Sequence, residues 1–426
     1  MIQQHFVEPE LDNARAWLRS EQRKIANTEH QSSNAQVITD AALQALEELT
    51  RFTPTEVPDL VRRGVFRYKR ECEAARIARA QAIIRRVAPG PFEDPIYFAT
   101  LAYQAASVEM ACELLSQKPT SLDYFSKFLL GTLPLSEVNA FATKITKNSY
   151  TIVILHTALI DFIYQAAKAI VEALNPSRSV DGRSAVNAVF DLDVIRSRLD
   201  SDRRPAERLY RTLEAYFFAG YPRASAGEMI PEEHYPPLSL IVAMAERWVI
   251  GHEYGHGLAP WFERVHVPAT VNVDWAEEYF SDSIATIATV YSAAKLDSLP
   301  PEFPLGGAIF ALACFDLLQK GFHILLNGEE TRSDPERGTH PEPSDRAVEV
   351  INCFRQYFDV NYYPNGEFDL TFTLREEVPK THNFSSEHSK RAYAYTSLLQ
   401  TLWRPVRERL LDEFHNNRPL HPLWRS

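Results

Sequence analysis

Apolar side chains recur at intervals of three and four residues over much of the chain, which is the spacing of amphipathic helices. The clearest stripe runs from residue 238 to residue 249 and leads into His252 and His256 on the same face. Two prolines precede this stripe, and Gly257 and Pro260 follow it, which favours a helix start and a helix end at these points. The pattern predicts a helix that points two histidines away from solvent.

A second helix is predicted to begin at Asp274. Asp274 and Glu277 have the spacing of a capping box, which assigns Glu277 to the helix start. Glu278 and Asp282 are four residues apart and share a different face, which carries no further charge over the next two turns. Apolar residues flank that face, so we expect both carboxylates to be buried. The alternative is an ordinary pair of acids on a solvated face.

Helical periodicity also prevails over residues 1–230. It predicts a helix from Leu135 to Lys147 and an apolar core helix within Tyr150–Leu174. The stretch from Gly220 to Pro237 is rich in proline and glycine, which favours a domain boundary there. We therefore predict a helical N-terminal domain of unknown role over residues 1–230 and a second domain over residues 231–426.

Strand signals are short and come late in the chain. Apolar residues alternate between Arg264 and Val273, and again from Phe368 to Leu374, which is typical of short strands. The last long helix is predicted from His388 to Phe414, with a break before Pro405. The predicted fold is mainly α, of α+β type.

Charge and composition narrow the classes of function. The net charge of −11 argues against a general nucleic-acid binder. The arginine-rich segment 57–87 is interpreted as a solvated helix face, with a nucleic-acid surface as the alternative. The apolar runs 150–174 and 306–326 both contain charged residues, so they are interpreted as core helices and no membrane span is expected. Four scattered cysteines and an N-terminus without a secretion signal favour a cytoplasmic location.

The candidate chemistry begins with the run His252-Glu253-Tyr254-Gly255-His256. Two histidines at i and i+4 on a helix can direct their rings at one point, which suits Zn²⁺. Glu253 lies about 100° around the helix from His252, where a carboxylate can take a proton from a water on the metal. A pair of core histidines is the alternative explanation of the same run.

A metal site of this kind needs a third ligand, and the second predicted helix offers one. Glu278 is the predicted ligand, and Asp282 is predicted to accept the spare ring N–H of a ligand histidine. The runner-up assignment exchanges Glu278 for its neighbour Glu277.

Three sequence elements resemble the gluzincin zinc metallopeptidases, and in particular the M48 group. They are the HEYGH run, the EYFSD run that contains Glu278 and Asp282, and the segment Thr339–Arg346, which is similar to that group's (Ser/Thr)-His-Pro-x-x-x-x-Arg pattern. Ser281 stands where the group usually has alanine. The resemblance covers about Leu238 to Phe358, and many members of the group are membrane enzymes, from which this chain departs.

The third element adds two candidate residues. The resemblance implies that His340 lies near the metal and donates to a developing oxyanion. It implies that Arg346 orients substrate or pairs with a carboxylate. Without the resemblance, a loop histidine and a surface arginine would be the ordinary interpretations of the two residues.

The resemblance also implies a small sheet beside the metal helix. We therefore predict a zinc-dependent endopeptidase with a zincin-like domain and one Zn²⁺ per chain, acting on a peptide or protein substrate. One alternative is an intracellular regulatory or toxin-like protease that is specific for one protein partner. A second is a non-catalytic interaction protein that contains zinc, and a third is a zinc hydrolase of non-peptide amides. The presence of Glu253 favours catalysis, because a structural site needs no base.

Overall fold

The computed structural model describes residues 9–26, 35–51, 65–91, 93–116, 125–144, 150–174, 192–225, 229–258, 275–297, 299, 302–330, 341–357 and 387–424. Most of these residues are helical, and one three-stranded sheet accompanies the helices. The prediction of a mainly α fold is therefore confirmed. The small sheet was expected beside the metal helix in the second predicted domain, whereas the observed sheet lies between Phe128 and His156, within the region predicted to be helical. The strands predicted at residues 264–273 and 368–374 lie outside the described residues.

The elements follow one another along the chain in two groups. The first group is α1 (Pro9–Ala26), α2 (Ala35–Arg51), α3 (Val65–Val87), α4 (Pro95–Ser116), β1 (Phe128–Leu133), β2 (Ala140–Lys144) and β3 (Thr151–His156). The second group is α5 (Thr157–Leu174), α6 (Leu192–Ser201), α7 (Arg204–Glu214), α8 (Tyr235–Leu258), α9 (Ala276–Leu296), α10 (Glu302–Asn327), α11 (Pro343–Tyr357) and α12 (Glu387–His415).

Contacts divide the chain into two compact units. The first comprises Met1–Ile160 with His256–Pro260, and the second comprises Asp161–Gly255 with Trp261–Ser426. The predicted boundary between residues 230 and 231 lies inside the second unit. The extent of independently folding domains stays a prediction.

The sheet belongs to the first unit and has β3 at its centre. β1 pairs with β3 in parallel, and β2 pairs with β3 in antiparallel fashion, so that Leu130 and Ala142 lie on either side of Val153. Every residue of β1 and β3 is buried. Helices α1, α3 and α4 all contact β1, which covers the sheet.

One predicted helix in this region is wrong, and another begins later than predicted. The segment Leu135–Lys147 contains strand β2, and the run predicted as a core helix from Tyr150 begins with β3 and becomes helical only at Thr157. The run Thr151–Leu155 is rich in β-branched residues, which favour strands. A strand buried on both faces shows no polar alternation, so its pattern resembles that of a buried helix.

The arginines of α3 also differ from their prediction. Arg79 and Arg86 both form ion pairs with Glu109 of α4, and Arg79 pairs with Glu113 as well. Arg76 is buried beside Glu73 and stacks over the ring of Tyr103. These arginines therefore hold two helices together and do not form a solvated face.

The second unit contains the longest apolar helix. Helix α10 packs against α11 and α12. Over Phe303–Asn327 it is long and apolar enough to cross a membrane, with a mean hydropathy of 1.6, and it is the only such helix among the described residues. More than half of its apolar window is buried within the protein, and Lys320 pairs with Asp316 on its surface. These features are those of a core helix, which is consistent with the absence of a membrane span.

Helix α12 continues through Pro405, so the predicted break is wrong. A proline removes one backbone hydrogen bond and usually bends or ends a helix. Here the flanking turns are anchored by buried side chains on both sides of the proline: Leu402, Trp403, Val406 and Leu410. Their packing offsets the lost bond.

Candidate metal centre

The site is built where α8 and α9 cross as antiparallel neighbours. A Cβ atom at Gly255 would lie 2.6 Å from the Cα of Ser281, and one at Gly251 would lie 3.0 Å from the Cα of Ala285. Small residues four apart on both helices therefore let the two backbones approach closely. This close approach explains a glycine inside a buried helix, where it lowers helix propensity by about 1 kcal/mol.

Side-chain hydrogen bonds fix the register of the crossing. The indole N–H of Trp248 donates to Oγ1 of Thr286 at 3.2 Å, and that hydroxyl donates to the carbonyl of Asp282 at 2.7 Å. Further along the pair, the guanidinium of Arg247 donates to Asp297 at 2.7 Å and to Ser292 at 3.1 Å. The histidines of α8 are thus held opposite the carboxylates of α9.

His252, His256 and Glu278 come together as a group that could hold a metal ion. One ligand atom of each lies within 4.8 Å of the others. Nε2 of His252 and Oε2 of Glu278 are 3.5 Å apart, close to the separation of about 3.4 Å for two ligands on one tetrahedral zinc. His252 and Glu278 are buried and His256 is partly exposed. The three residues therefore fit a metal ion.

Asp282 lies directly behind the first histidine. Its Oδ1 is 2.8 Å from Nδ1 of His252, and the carboxylate is only 1% exposed. Burial opposes ionisation of Asp282, but the charge of Arg346 and hydrogen bonds from Arg346 and His252 outweigh it and lower the pKa of this carboxyl. An ionised Asp282 accepts the Nδ1 proton, which leaves Nε2 of His252 to face the metal position.

Arg346 enters the same cluster from helix α11. Its Nε donates to Oδ2 of Asp282 at 2.8 Å and its Nη2 donates to Oδ1 at 2.7 Å. Its Nη1 lies 3.7 Å from Oε2 of Glu278. The arginine is 9% exposed, so the structure places it among the site carboxylates and not on the surface.

The charges around His252 act on its protonation. Burial and the positive charge of Arg346 favour neutral imidazole, but hydrogen bonds to Asp282 and Glu278 outweigh them and raise the pKa of His252 to about 9 in the metal-free protein. A metal ion that binds here must displace this proton, because only the neutral ring is a ligand.

The remaining residues predicted for the site differ in their burial. Glu253 is buried next to His252 in α8, and its charge contributes to a raised pKa of Arg346. Glu278 is buried, whereas Glu277 is exposed. His340 lies outside the described residues.

The predicted capping box is wrong. The N-cap of α9 is Trp275 and has no side-chain capping bond, so Glu277 occupies the second helical position and not the third. The helix therefore begins one residue later than the sequence predicts. Asp274 lies outside the described residues.

Helix α8 carries one buried acidic residue that was not predicted from the sequence. Glu246 is 4% exposed, and its Oε2 has no hydrogen-bond partner among the residues that the structure describes. Desolvation by burial raises the pKa of this carboxyl to about 8. It lies seven residues before Glu253, which places both within about 20° of one another around the helix. In the sequence it directly precedes Arg247, so the pattern around it gives no signal that sets Glu246 apart.

The close helix crossing generates a first prediction. Gly255→Ala should weaken metal binding and destabilise the fold by about 1–3 kcal/mol, because the new methyl group must push apart two backbones that carry ligands. Gly251→Ala should do less, since its Cβ has 0.4 Å more room, the difference between 3.0 and 2.6 Å. Melting temperature and competition with a chelator measure the two effects. Stabilisation by both variants, as helix propensity alone would produce, would contradict the role of the crossing.

Glu246 generates a prediction about pH. Its pKa is about 8 in the folded chain and about 4.3 when unfolded. The folded state therefore retains the proton that the unfolded state has lost, and this contribution to stability disappears as the pH rises from about 4.3 to 8. Glu246→Leu should stabilise the protein, and its advantage over wild type should grow from pH 5 to pH 8. Urea unfolding at several pH values tests this, and a pH-independent difference would refute it.

No family model, no curated protein and no solved structure matches this chain in the comparisons with known proteins. The case for its function rests on the residues and geometry of the α8–α9 site.

Proposed function

We propose that the chain is a zinc-dependent endopeptidase. The observation that carries the proposal is the convergence of His252, His256 and Glu278 from two packed helices, with Asp282 behind the first histidine. Glu253 supplies the fifth element, a buried carboxylate adjacent to a ligand. A chance cluster would not need a base and an orienting carboxylate in these positions.

The donor set favours zinc over other divalent ions. Two imidazoles and one carboxylate form a borderline-soft set, whereas calcium and magnesium prefer oxygen ligands alone. Structural zinc sites usually have four protein ligands, but the described residues supply three, which leaves room for water and substrate. Zinc bound here would supply Lewis acidity and would lower the pKa of a water molecule to about 7.

Residues of the chain would carry out the proton transfer. Glu253 takes a proton from the water as the water oxygen attacks the peptide carbonyl carbon. It then delivers that proton to the amide nitrogen as the C–N bond breaks, so that the products are a carboxylic acid and an amine. Asp282 keeps the Nδ1–H of His252 in place throughout.

The gluzincin resemblance supports the same reaction. The HEYGH and EYFSD runs lie on α8 and α9 in the order that the M48 group shows, and Arg346 of the third element lies within hydrogen-bonding distance of Asp282. The same resemblance would make His340 an oxyanion donor and a zincin-like domain the host of the site. A cytoplasmic location and a peptide or protein substrate complete the proposal.

A non-catalytic zinc protein is the rival from another class. Such a protein would use zinc to hold α8 and α9 together and would have no need of Glu253. The burial of Glu253 beside a ligand favours the enzyme. A protease that serves a single partner would share the same chemistry and differ only in its substrate range.

The ligand assignment predicts different behaviour for two adjacent residues. Glu278→Ala should abolish tight zinc binding because it removes a buried ligand. Glu277→Ala, a change at an exposed site, should keep zinc and alter stability by no more than about 0.5 kcal/mol. Elemental analysis and zinc titration of the two purified variants decide the matter. If only Glu277→Ala loses zinc, the ligand is Glu277 and not Glu278.

The proposed base gives the test of catalysis. Glu253→Gln should retain zinc and the melting temperature but lose ~10²–10⁴-fold in turnover, since an amide cannot accept the proton. Cleavage of a diverse peptide library by wild type and variant both finds a substrate and measures the ratio. Equal cleavage by the two proteins would rule out the mechanism, and zinc binding without any cleavage would favour the interaction protein.

A further inference from the structure

Arg346 takes no part in the proposed proton transfer, yet it is the most heavily bonded cation in the described site. Both nitrogens of one edge of its guanidinium engage Asp282, at 2.8 Å and 2.7 Å. A third nitrogen lies 3.7 Å from Glu278. Its central carbon is 6.0 Å from the ring centroid of Trp248, which stacks on His252. Nη2 also lies 3.3 Å from Nδ1 of His252, so the arginine contacts both helices that carry the ligands.

The two oxygens of Asp282 have different partners. Oδ2 accepts from Nε of Arg346, whereas Oδ1 accepts from Nη2 of Arg346 and lies 2.8 Å from Nδ1 of His252. The carboxylate cannot rotate towards another orientation without breaking the paired bonds to the guanidinium. Oδ1 is therefore held at the imidazole by the arginine and not by the backbone of α9 alone.

We propose that Arg346 is a positioning residue for the metal centre: through its two-pronged contact it locks Asp282, and Asp282 in turn locks the ring of His252 with Nε2 towards the metal. This inference rests on the proposed metal site and does not require that the site cleaves peptides. The essential feature is the planar fork of the guanidinium, because a lysine ammonium is a point charge and cannot hold both carboxylate oxygens.

If Arg346 acted only through its charge, removing it would have the opposite effect on zinc affinity. A cation close to a metal position repels a divalent ion, so its removal would tighten zinc binding. A purely structural role, as a clamp between α9 and α11, would lower thermal stability and leave the affinity for zinc unchanged. The metal affinity of a few variants therefore separates the three roles.

The experiment measures zinc affinity on the full chain by competition with a chromogenic chelator, and the melting temperature with and without zinc. Arg346→Lys and Arg346→Met should each weaken zinc binding by about 10–100-fold, the usual effect of losing a partner of a ligand histidine. Asp282→Asn should cause a similar loss. The double variant Arg346→Met with Asp282→Asn should lose less than the sum of the two single losses, because both changes break one linkage.

Arg247→Met is the matched control. Arg247 is also buried and also pairs with an acid, Asp297, which follows the last residue of α9 and lies at the other end of the helix pair. This variant should lower the melting temperature without changing zinc affinity. The absorption spectrum of the Co²⁺-loaded protein should change for Arg346→Lys and not for Arg247→Met, since the spectrum reports ligand geometry.

Three results would overturn the inference. They are tighter or unchanged zinc binding in Arg346→Met, full zinc affinity in Arg346→Lys, and strictly additive losses with Asp282→Asn. If Arg346→Met fails to fold, Arg346→Lys and Asp282→Asn alone carry the test. A wild-type chain that takes up no zinc would overturn this inference together with the metal site. A chain that binds zinc but cleaves no peptide would contradict the peptidase alone.

Discussion

The close approach of α8 to α9 is the constraint on which the rest of the site depends. Metal ligands must lie within about 2 Å of one ion, so two helices that both supply ligands have to pack more tightly than large side chains allow. Gly251 and Gly255 face Ala285 and Ser281 and permit this spacing. With the backbones this close, short side chains such as Asp282 reach the partner helix directly.

Such packing concentrates buried charge. Glu253, Glu278 and Asp282 are all buried, and isolated buried carboxylates are costly. Arg346 supplies one compensating charge and a divalent cation would supply two, so the three acids are formally balanced only when both are present. The metal-free chain responds in part through a raised pKa of His252. The site is therefore best understood as an electrostatic unit that spans α8, α9 and α11.

Parts of this arrangement could be predicted from sequence for a clear physical reason. The histidine pair and the pair Glu278 and Asp282 each lie on a single helix, and the helical repeat alone decides which residues share a face. The same argument separated Glu278 from Glu277, one of which is buried and the other exposed. The position of Arg346 followed only from a resemblance, because α11 lies far along the chain and no periodicity connects it with α9.

Other features depend on tertiary contacts that periodicity does not contain. β3 pairs on both sides and is buried on both faces, so its apolar run was mistaken for a helix. The arginines of α3 pair with Glu109 on a different helix, a contact that one helix's charge pattern cannot show. The burial of Glu246 follows from its surroundings and not from its neighbours in sequence.

The distribution of the ligands over two helices has a consequence for the abundance of the protein in a cell. An ion held by His256 and Glu278 would tie together the ends of the segment between them, much as a disulfide closes a loop, and a cross-link over about 20 residues stabilises a fold by roughly 3 kcal/mol. A ligand that binds only the folded chain also shifts the unfolding equilibrium in proportion to its free concentration. Since cellular proteases remove chains that unfold, the supply of metal would set the abundance of this protein as well as its competence. When the ion is scarce, the metal-free protein would then be degraded and would not accumulate.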